Sequence, residues 1–431
     1  MTTTVPSAKN GARPDDQGPP GRPPVRHPLR TNGSYRALWV GDLVSQFGSK
    51  ITEFVLPLLL VTTLHASALQ VGVVQTAYMA PFFLLPLIAG VWLDHRSKRP
   101  VMIFADLIRF ALVLCVPVMT LLGALDLWHV YLIAFAVGSF TVLYDIAAAA
   151  YLPELLPAPQ LPAANSLVTS NQAVGGTAGP GLSGWLVGLF GPAATLVVDA
   201  LSYLTSATAL MLMNHREQPR ARTAERDLRR ELVDGVHAVV RNPPIRAVSL
   251  HACVYNAGVA MMNLAFLIFF VRELQHSSGQ FGLIMVAGGV GAVTGALVAP
   301  RLIRRFGLGR AFPYVLVFST TAYFLLLTAD GGSRDVLWCS LAYFLGTAGS
   351  SGGSVIAVTM RQRLTPAALY ARMTATYRLF SFGALCVGSL TAGVLADTVG
   401  ARATLWVVPF VLMASAVPVL GRAVLSLPRT D

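Results

Sequence analysis

The sequence predicts an all-α polytopic membrane protein, with 12 transmembrane helices in two pseudo-symmetric six-helix bundles. Three observations predict this fold class: an apolar composition, a series of long apolar runs, and a repeat between the two halves of the chain. Of the 431 residues, 54% are hydrophobic and only 12% are charged, whereas soluble proteins carry about 25% charged residues. The runs are also too long and uninterrupted for a transmembrane barrel, which shows short alternating strands.

Each apolar run is long enough to cross the hydrocarbon core as a helix, which takes about 20 residues. The runs cover residues 37–64, 70–93, 101–124, 128–151, 165–190, 192–213, 246–271, 279–300, 311–329, 335–360, 371–396 and 402–425. They divide the chain into a disordered cytoplasmic tail, a first bundle, a cytoplasmic linker and a second bundle, over residues 1–35, 36–214, 215–244 and 245–427. Apolar residues recur on one side of the linker segment 223–240, which predicts an amphipathic helix there.

The second half of the chain repeats the first at a nearly constant offset of 210 or 209 residues. The related pairs include Gly48 and Gly258, Ser67 and Ser277, Gln70 and Gln280, Gly179 and Gly388, and Gly184 and Gly393. Such a repeat predicts two bundles that are related by an axis along the membrane normal.

The basic residues gather in alternate loops and give the chain a net charge of +12. Because Lys and Arg resist translocation, this alternation predicts a multi-pass cell-membrane protein with both termini in the cytoplasm. Anionic lipid headgroups explain the remaining positive charge, so we expect the lipid bilayer and not nucleic acid as a partner. The four cysteines lie inside apolar runs without C-x-x-C spacing, which predicts neither disulfides nor a metal site.

A short polar loop, Gly90-Val-Trp-Leu-Asp-His-Arg-Ser-Lys-Arg99, separates the second and third apolar runs. It resembles the loop between helices 2 and 3 of major facilitator superfamily transporters, usually written G-x-x-x-D-R-x-G-R-K. A simple cytoplasmic loop would explain the basic charges but not the spacing of Gly and Asp. His95 and Ser97 depart from the pattern, since Arg and Gly are usual there. The resemblance implies a gating loop, with Asp94 as a latch between the halves, built from Gly90, Asp94, Arg96, Lys98 and Arg99.

A second resemblance runs through the fourth and fifth apolar runs. Its elements are Tyr144-Asp145, Leu152-Pro-Glu-Leu-Leu-Pro157, Ala164-Asn-Ser166 and Gly179-Pro180. They resemble the exporter branch that contains the bacterial enterobactin exporter and macrolide-type efflux proteins. Members usually have Pro-Ala-Arg after the Asp, but here Ile-Ala-Ala follows, so that arginine is missing. The resemblance implies export.

The glycines of the fifth run form a third pattern, at Gly175, Gly179, Pro180 and Gly184. It resembles the helix 5 motif of antiporter-type members, with Ser183 in place of one Gly. Gly175 and Gly179 make a face of small residues that lets another helix approach closely, and Pro180 permits a bend. Close packing in any membrane bundle is the alternative interpretation.

Polar residues follow one face of the first run at helical spacing: Asp42, Gln46, Ser49 and Glu53. The repeat places Gln46 opposite Asn256 and Glu53 opposite Asn263 in the seventh run. Acidic groups inside a membrane normally face a cavity or a partner. We therefore predict a substrate cavity lined by Gln46, Ser49, Asn256, Asn263, Tyr144 and Tyr377. Polar contacts that only join helices are the alternative.

Glu53 is the first candidate for proton coupling, because burial disfavours the charged form of a carboxyl. Asp145 and Asp42 are the next candidates, and Lys50, one turn from Glu53, could instead pair with it. Asp106 and Arg109 are three residues apart and are expected to form a structural charge pair, with each other or with the loop that contains Asp94. Partners for the intramembrane charges Asp199 and Arg378 cannot be assigned from the sequence.

The leading interpretation is a secondary active transporter that exports small organic molecules, drug-like, natural-product or siderophore-like, by proton-coupled alternating access. A nutrient importer of the same fold and a transport-inactive receptor or partner subunit are the alternatives. No P-loop, G-x-S-x-G or His/Cys metal spacing is present, so we predict no enzyme, cofactor or resident metal. The expected partners are a small-molecule substrate and protons, and the expected state is a monomer.

Overall fold

A computed structural model describes residues 28–94, 96–213, 217, 233 and 236–426. In this part of the chain, the backbone forms helices joined by short connections. Ten of the described helices are long and apolar enough to cross a membrane, and two further helical segments complete the predicted set of twelve. The predicted fold class is therefore confirmed.

The first bundle contains six segments. They are α1 (Gly33–Thr62), α2 (the pieces Ala68–Met79, Pro81–Leu84 and Pro86–Asp94), α3 (Lys98–Leu121), α4 (Leu127–Leu155), α5 (Leu161–Phe190) and α6 (Pro192–Met211). Pro81 and Pro86 each open a new piece of α2, because proline has no N–H to continue the hydrogen-bond ladder.

The second bundle repeats this arrangement. Its segments are α7 (Pro243–Leu267, continued as a π-helix over Ile268–Glu273), α8 (Ser278–Phe306), α9 (Leu308–Ala322, continued as a 3₁₀-helix over Tyr323–Thr328), α10 (Asp335–Leu364), α11 (Ala367–Val399) and α12 (Ala401–Ala414). A 3₁₀ turn at Val417–Leu420 and a short helix at Arg422–Leu425 follow α12.

The caps at the helix ends repeat together with the helices. Asn32 accepts a hydrogen bond from the Tyr35 amide at 3.0 Å and donates to the Leu155 carbonyl at 2.9 Å. Asn242 makes the equivalent contacts with the Ile245 amide at 3.3 Å and the Leu364 carbonyl at 3.1 Å. The internal repeat therefore extends to the residues that fix where α1 and α7 begin.

Two predicted boundaries need correction. Residues 28–31 already form a short helix, α1 begins at Gly33, and the Tyr35 hydroxyl donates to the Ala164 carbonyl at 3.2 Å. The predicted end of the tail at residue 35 is therefore wrong, because this segment packs against the first bundle. Likewise, α7 begins at Pro243, two residues before the predicted start of the second bundle at residue 245. Residues 1–27 and most of the predicted amphipathic helix over 223–240 lie outside the described residues.

The bundle ends define two faces of the molecule. The terminal face carries the start of α1, the described residues 96–97 between α2 and α3, and the residues that follow α6 and α12. The far face carries the connections at residues 63–67, 274–277 and 400. Towards the far face the two bundles touch along α2 and α11 and along α5 and α8, where Gly184 lies against Gly282 with no room for a Cβ on either. This contact places a cavity between the bundles.

Candidate functional site

A cavity of about 380 Å³ lies between the two bundles and is lined by residues of α1, α2, α5, α7, α8 and α11. Its polar lining residues are Lys50, Thr52, Glu53, Gln75, Asn263 and Ser389. Aromatic and aliphatic side chains make up most of the rest of the wall, among them Phe54, Tyr78, Met79, Phe281, Met285 and Leu385. Such a mixture of apolar walls and a few polar groups is typical of small-molecule sites.

Glu53 and Lys50 form an ion pair in this wall, with 2.5 Å between Lys50 Nζ and Glu53 Oε2. Their side chains are 41% and 31% exposed, so both remain accessible from the cavity. Gly179 of α5 lies against the stem of Lys50: a Cβ built on Gly179 would lie 2.5 Å from Lys50 Cβ. The α5 glycine therefore makes the room that the cation needs to reach Glu53.

The other glycines of the α5 pattern also lie at helix contacts. Gly175 faces Gln46 of α1, where a Cβ would be in tight but possible contact at 3.4 Å, and Gly184 faces Gly282 of α8. Pro180 lines the cavity. One side of α5 thus packs on α1 in its own bundle, and the same helix reaches α8 in the other bundle.

Asp42 lies towards the terminal face and is held by two amides. Asn171 Nδ2 donates to its Oδ2 at 2.8 Å, and Gln46 Nε2 lies 3.4 Å from its Oδ1. Neither Asp42, Gln46 nor Asn256 is in the cavity wall. The structure thus brings Glu53 and Asn263 together at the cavity, but Gln46 and Asn256 are displaced from it.

Three further residues that we expected in the cavity wall are engaged elsewhere. Ser49 Oγ lies 3.1 Å from the Tyr203 hydroxyl on α6. The Tyr144 ring is 4.6 Å from the Arg109 guanidinium, and the Tyr377 ring is 3.7 Å from that of Arg361. These three residues do not line the cavity described above: the hydroxyl joins two helices, and both rings pack against buried arginines.

Asp145 is exposed to the space between the bundles. It interacts electrostatically with Arg109, Asp42 and Lys50 of its own bundle and with Arg378 of α11 in the other bundle. Arg378 is also exposed. An acid and a base on opposite bundles can attract each other across this space, so Asp145 is a second acid that faces the path to the cavity.

Arg109 and Asp106 form a buried ion pair within α3. Arg109 lies between two aromatic rings, 4.6 Å from the centre of Tyr144 and 4.4 Å from that of Tyr203. Rings on both sides of a guanidinium stabilise the cation through their negative faces. The pair is 2% and 0% exposed, so its charges are enclosed by the first bundle.

The carboxylate of Asp397 joins the two bundles at the far face. It accepts hydrogen bonds from Ser67 Oγ at 2.7 Å and from the amides of Ala68 at 2.8 Å and Leu69 at 3.0 Å, at the first turn of α2. Arg272 of α7 donates to the Ala66 carbonyl beside it. A carboxylate at a helix N-terminus is stabilised by the free amides and the helix dipole. We call these contacts the far-face latch.

At the terminal face, the loop between α2 and α3 is anchored to its own bundle. Arg99 donates from Nε to the Leu210 carbonyl at 2.8 Å and from Nη2 to the Met211 carbonyl at 2.9 Å. Glu217 accepts from the amides of Lys98 at 2.7 Å and Arg99 at 2.5 Å. The loop therefore closes the end of α6 and ties the start of the linker to α3.

The remaining loop residues have separate contacts. Lys98 Nζ lies 3.9 Å from Glu154 Oε1 at the end of α4, and Arg96 stacks over the Trp92 ring at 4.6 Å. Gly90 has open space around it. Asp94 ends α2, whereas its side chain and His95 lie outside the described residues.

A family model for transmembrane secretion effectors, a group of major facilitator superfamily transporters, matches residues 26–431 of this chain. The chain belongs to this family. The resemblance that the loop at residues 90–99 suggested is therefore confirmed at the level of the superfamily.

Known relatives of this transmembrane secretion effector include efflux proteins. The multidrug efflux pump Tap of Mycolicibacterium fortuitum is 23% identical over 90% of this chain and 94% of its own length. Macrolide efflux protein A of Streptococcus pyogenes is 20% identical over 85% of this chain and 90% of its own. The MFS-type transporter y4rN of Sinorhizobium fredii is 26% identical, but that match spans about half of either chain, 50% and 52%.

Among solved structures, a bacterial homologue of the iron transporter ferroportin in its inward-facing state has the same fold. Its TM-score is 0.72 at 18% identity, over 92% of this chain and 99% of that one. A bacterial homologue of ferroportin in an outward-facing state, with soaked iron, gives a TM-score of 0.58. Among the described residues of this chain, no group of three or more potential metal ligands occurs.

Two residues with specific contacts were missed or left without a partner by sequence reasoning. Asp397 gave no motif, although its position at the end of an apolar run could have indicated a capping acid. Asp199 was noticed as an intramembrane charge, but its partner Thr52 on α1 is 147 residues away along the chain. A carboxyl buried in an apolar run is itself the signal that partners must exist.

Proposed function

We propose that this chain is a secondary active transporter that exports small organic molecules in exchange for protons by alternating access. The observation that carries the proposal is the cavity between the bundles, which is lined by both bundles, contains an accessible acid–base pair, and is covered towards the far face. A site between two pseudo-symmetric halves can be exposed to either side of a membrane when the halves rock against each other.

The positive-inside rule supports a cytoplasmic location for the terminal face. The far face would then be extracellular, and the structure would represent the inward-facing state. The higher TM-score to the inward-facing ferroportin homologue than to its outward-facing form, 0.72 against 0.58, supports this assignment. In the opposite state the far-face latch has to open.

Export is supported by two of the relatives, which are named as efflux proteins. The cavity adds a physical argument, because its wall is mainly aromatic and aliphatic and has only a few polar groups. A sugar or another highly hydroxylated nutrient needs many hydrogen-bond partners, and a buried polar group without one costs about 1–3 kcal/mol. An amphipathic molecule matches this wall better.

Proton coupling is assigned first to Glu53, with Asp145 and Asp42 as the other candidates. Glu53 lies in the cavity wall, where its carboxylate can either pair with Lys50 or bind a proton. Asp145 faces the route towards the terminal face. When Glu53 is protonated, Lys50 loses its counter-ion. Protonation thus changes the charge that the cavity presents to a substrate, which is the differential interaction that coupling needs.

The test follows efflux of ethidium from loaded cells with and without a protonophore. Wild-type cells should lose the dye rapidly, and the protonophore should abolish this efflux. At equal membrane abundance, Glu53→Gln should slow efflux by at least about tenfold, whereas Asp330→Asn, an exposed far-face acid outside the cavity, should not change it. Efflux that ignores the protonophore would contradict proton coupling, and normal efflux by Glu53→Gln would move the assignment to Asp145.

A further inference from the structure

The carboxyl of Asp199 lies completely buried between α6 and α1. Thr52 Oγ1 of α1 donates a hydrogen bond to its Oδ2, and Ser202 Oγ donates to its Oδ1 at 3.1 Å. Among the described residues, no Lys, Arg or His side chain lies within ion-pair distance of it. Asp199 is thus an acid inside the membrane whose two contacts are neutral hydroxyls.

Hydroxyl partners suit a carboxyl that changes its protonation state. A Ser or Thr hydroxyl both donates and accepts, whereas a Lys or Arg side chain only donates. Thr52 and Ser202 can therefore donate to the carboxylate, and one of them can accept from the carboxylic acid after a rotation of its O–H. An arginine at this place would hold the carboxylate in its charged form much more strongly than two neutral hydroxyls do.

The fold does not require an acid at this place. The repeat sets Asp199 opposite Val408 and Ser202 opposite Val411 of α12, and Thr52 opposite Met262 of α7. In the first bundle, Gly48 of α1 packs directly on Asp199 and Ser202. In the second bundle, its counterpart Gly258 packs on Leu412 and Val411. Two helices are thus joined at the same point by apolar side chains in one bundle and by a carboxyl with two hydroxyls in the other.

Thr52 connects this carboxyl to the cavity. It is one of the residues in the cavity wall, it is followed directly by Glu53, and its hydroxyl is bonded to Asp199. Thr52 has no exposed surface in this state. It therefore separates the buried acid from the cavity, and a proton can pass between them once a cavity water reaches the Thr52 hydroxyl.

We propose that Asp199 is a proton-holding residue of the transport cycle, loaded and unloaded through the Thr52 hydroxyl. This inference rests on the proposed proton-coupled transport and adds a residue to it. In loading, Thr52 Oγ1 receives a proton from a cavity water or from Glu53, while its own proton passes to Asp199 Oδ2. After this step Thr52 is again a neutral hydroxyl, Asp199 is a neutral carboxylic acid, and the donor has lost one proton. Unloading is the reverse.

The charged and titratable groups around Asp199 come from each helix that packs near it. Arg109 of α3, Tyr78 of α2 and Tyr203 of α6 itself interact with it electrostatically. Lys50 and Glu53 lie on α1, two residues before and one residue after Thr52. The Arg109 charge is engaged by Asp106 and by the rings of Tyr144 and Tyr203. The proton affinity of Asp199 therefore depends on the state of the α3 ion pair.

The first experiment uses infrared difference spectroscopy on the purified full chain in lipid nanodiscs, with pH steps and no substrate. The proposal predicts a carbonyl band of a protonated carboxyl that appears with falling pH, is absent in Asp199→Asn, and shifts in frequency in Thr52→Val, which loses the hydroxyl at equal size. Thr52→Ser should restore the band position. A spectrum that Asp199→Asn leaves unchanged overturns the proposal, and so does a band that Thr52→Val leaves unmoved.

The second experiment relates the acid to coupling, with ethidium transport in proteoliposomes. Asp199→Asn should lower uptake driven by a pH gradient by at least about tenfold, while ethidium exchange at equal pH stays within about twofold of wild type. The proposal is overturned if Asp199→Asn takes up ethidium at the wild-type rate when a pH gradient drives uptake. An equal loss of pH-driven uptake and of exchange at equal pH overturns it as well. If Asp199→Asn does not fold, the comparison of Thr52→Val with Thr52→Ser decides. If the pH gradient does not drive uptake by the wild type, the result contradicts the proposed function. The infrared experiment then decides whether Asp199 binds a proton.

Discussion

Replacing Asp397 by alanine should shift the structure towards the state that is open at the far face. The carboxylate accepts three hydrogen bonds from the first turn of α2, and all three exist only while α2 and α11 stay together. A lost cap costs about 0.5–2 kcal/mol, and hydrogen bonds to charged groups contribute about 1.5–3 kcal/mol each where they are well shielded.

Asp397 is exposed, so water replaces part of what is lost, and we take about 1–2 kcal/mol for the whole latch. At about 1.4 kcal/mol per tenfold change, the ratio of open to closed molecules should rise by about 5–30-fold. Asp397→Asn keeps the size and one acceptor but loses the charge, so its shift should be smaller than that of Asp397→Ala.

The assay measures distances between spin labels at Thr63 and Arg402, two exposed far-face residues on different bundles, by double electron–electron resonance. The native cysteines are replaced first. Wild type should show mainly the short distance, Asp397→Ala a larger long-distance fraction, and Asp330→Ala, an exposed acid that does not bridge the bundles, the wild-type distribution. An unchanged distribution in Asp397→Ala would refute the latch.

Further predictions concern helix contacts and the loop at the terminal face. Gly179→Leu places a side chain where the Lys50 stem lies and should reduce efflux to below about a tenth of wild type. Gly188→Ala is the control, because its Cβ would lie 3.9 Å from the nearest atom, Gly279 Cα, and its efflux should remain near wild type. Dye efflux at equal membrane abundance checks both variants. Glu217→Gln weakens the cap on α3 and should lower the free energy of unfolding by about 1 kcal/mol, which thermal denaturation in detergent measures against wild type. Retained efflux in Gly179→Leu, or an unchanged melting temperature in Glu217→Gln, would contradict these assignments.

Much of the fold could be predicted because membrane-spanning helices are recognisable in a sequence as long apolar runs. All twelve runs correspond to helical segments, and the repeat even extends to the caps Asn32 and Asn242. The runs do not show where a segment is interrupted, as Pro81 and Pro86 interrupt α2. They also do not show that residues 28–35 pack against the first bundle, where the Tyr35 hydroxyl donates to a carbonyl of α5.

The site was predictable only in part, because one helical stripe meets different neighbours along its length when helices cross at an angle. Asp42 meets Asn171 of α5, Ser49 meets Tyr203 of α6, and only Glu53 reaches the cavity. The contacts of Asp199 and Asp397 join segments 147 and 330 residues apart, and spacing along the chain carries no information about such pairs.

The most direct test of proton-coupled export uses purified protein in liposomes with an acidic lumen and ethidium outside. Ethidium is a permanent cation, so a pH gradient alone does not concentrate it. The proposal predicts accumulation in the acidic lumen against the ethidium gradient, no accumulation in liposomes without protein, and loss of the signal when an ionophore collapses the pH gradient. Equal dye concentrations on both sides despite the pH gradient, or movement in the same direction as the protons, would contradict it.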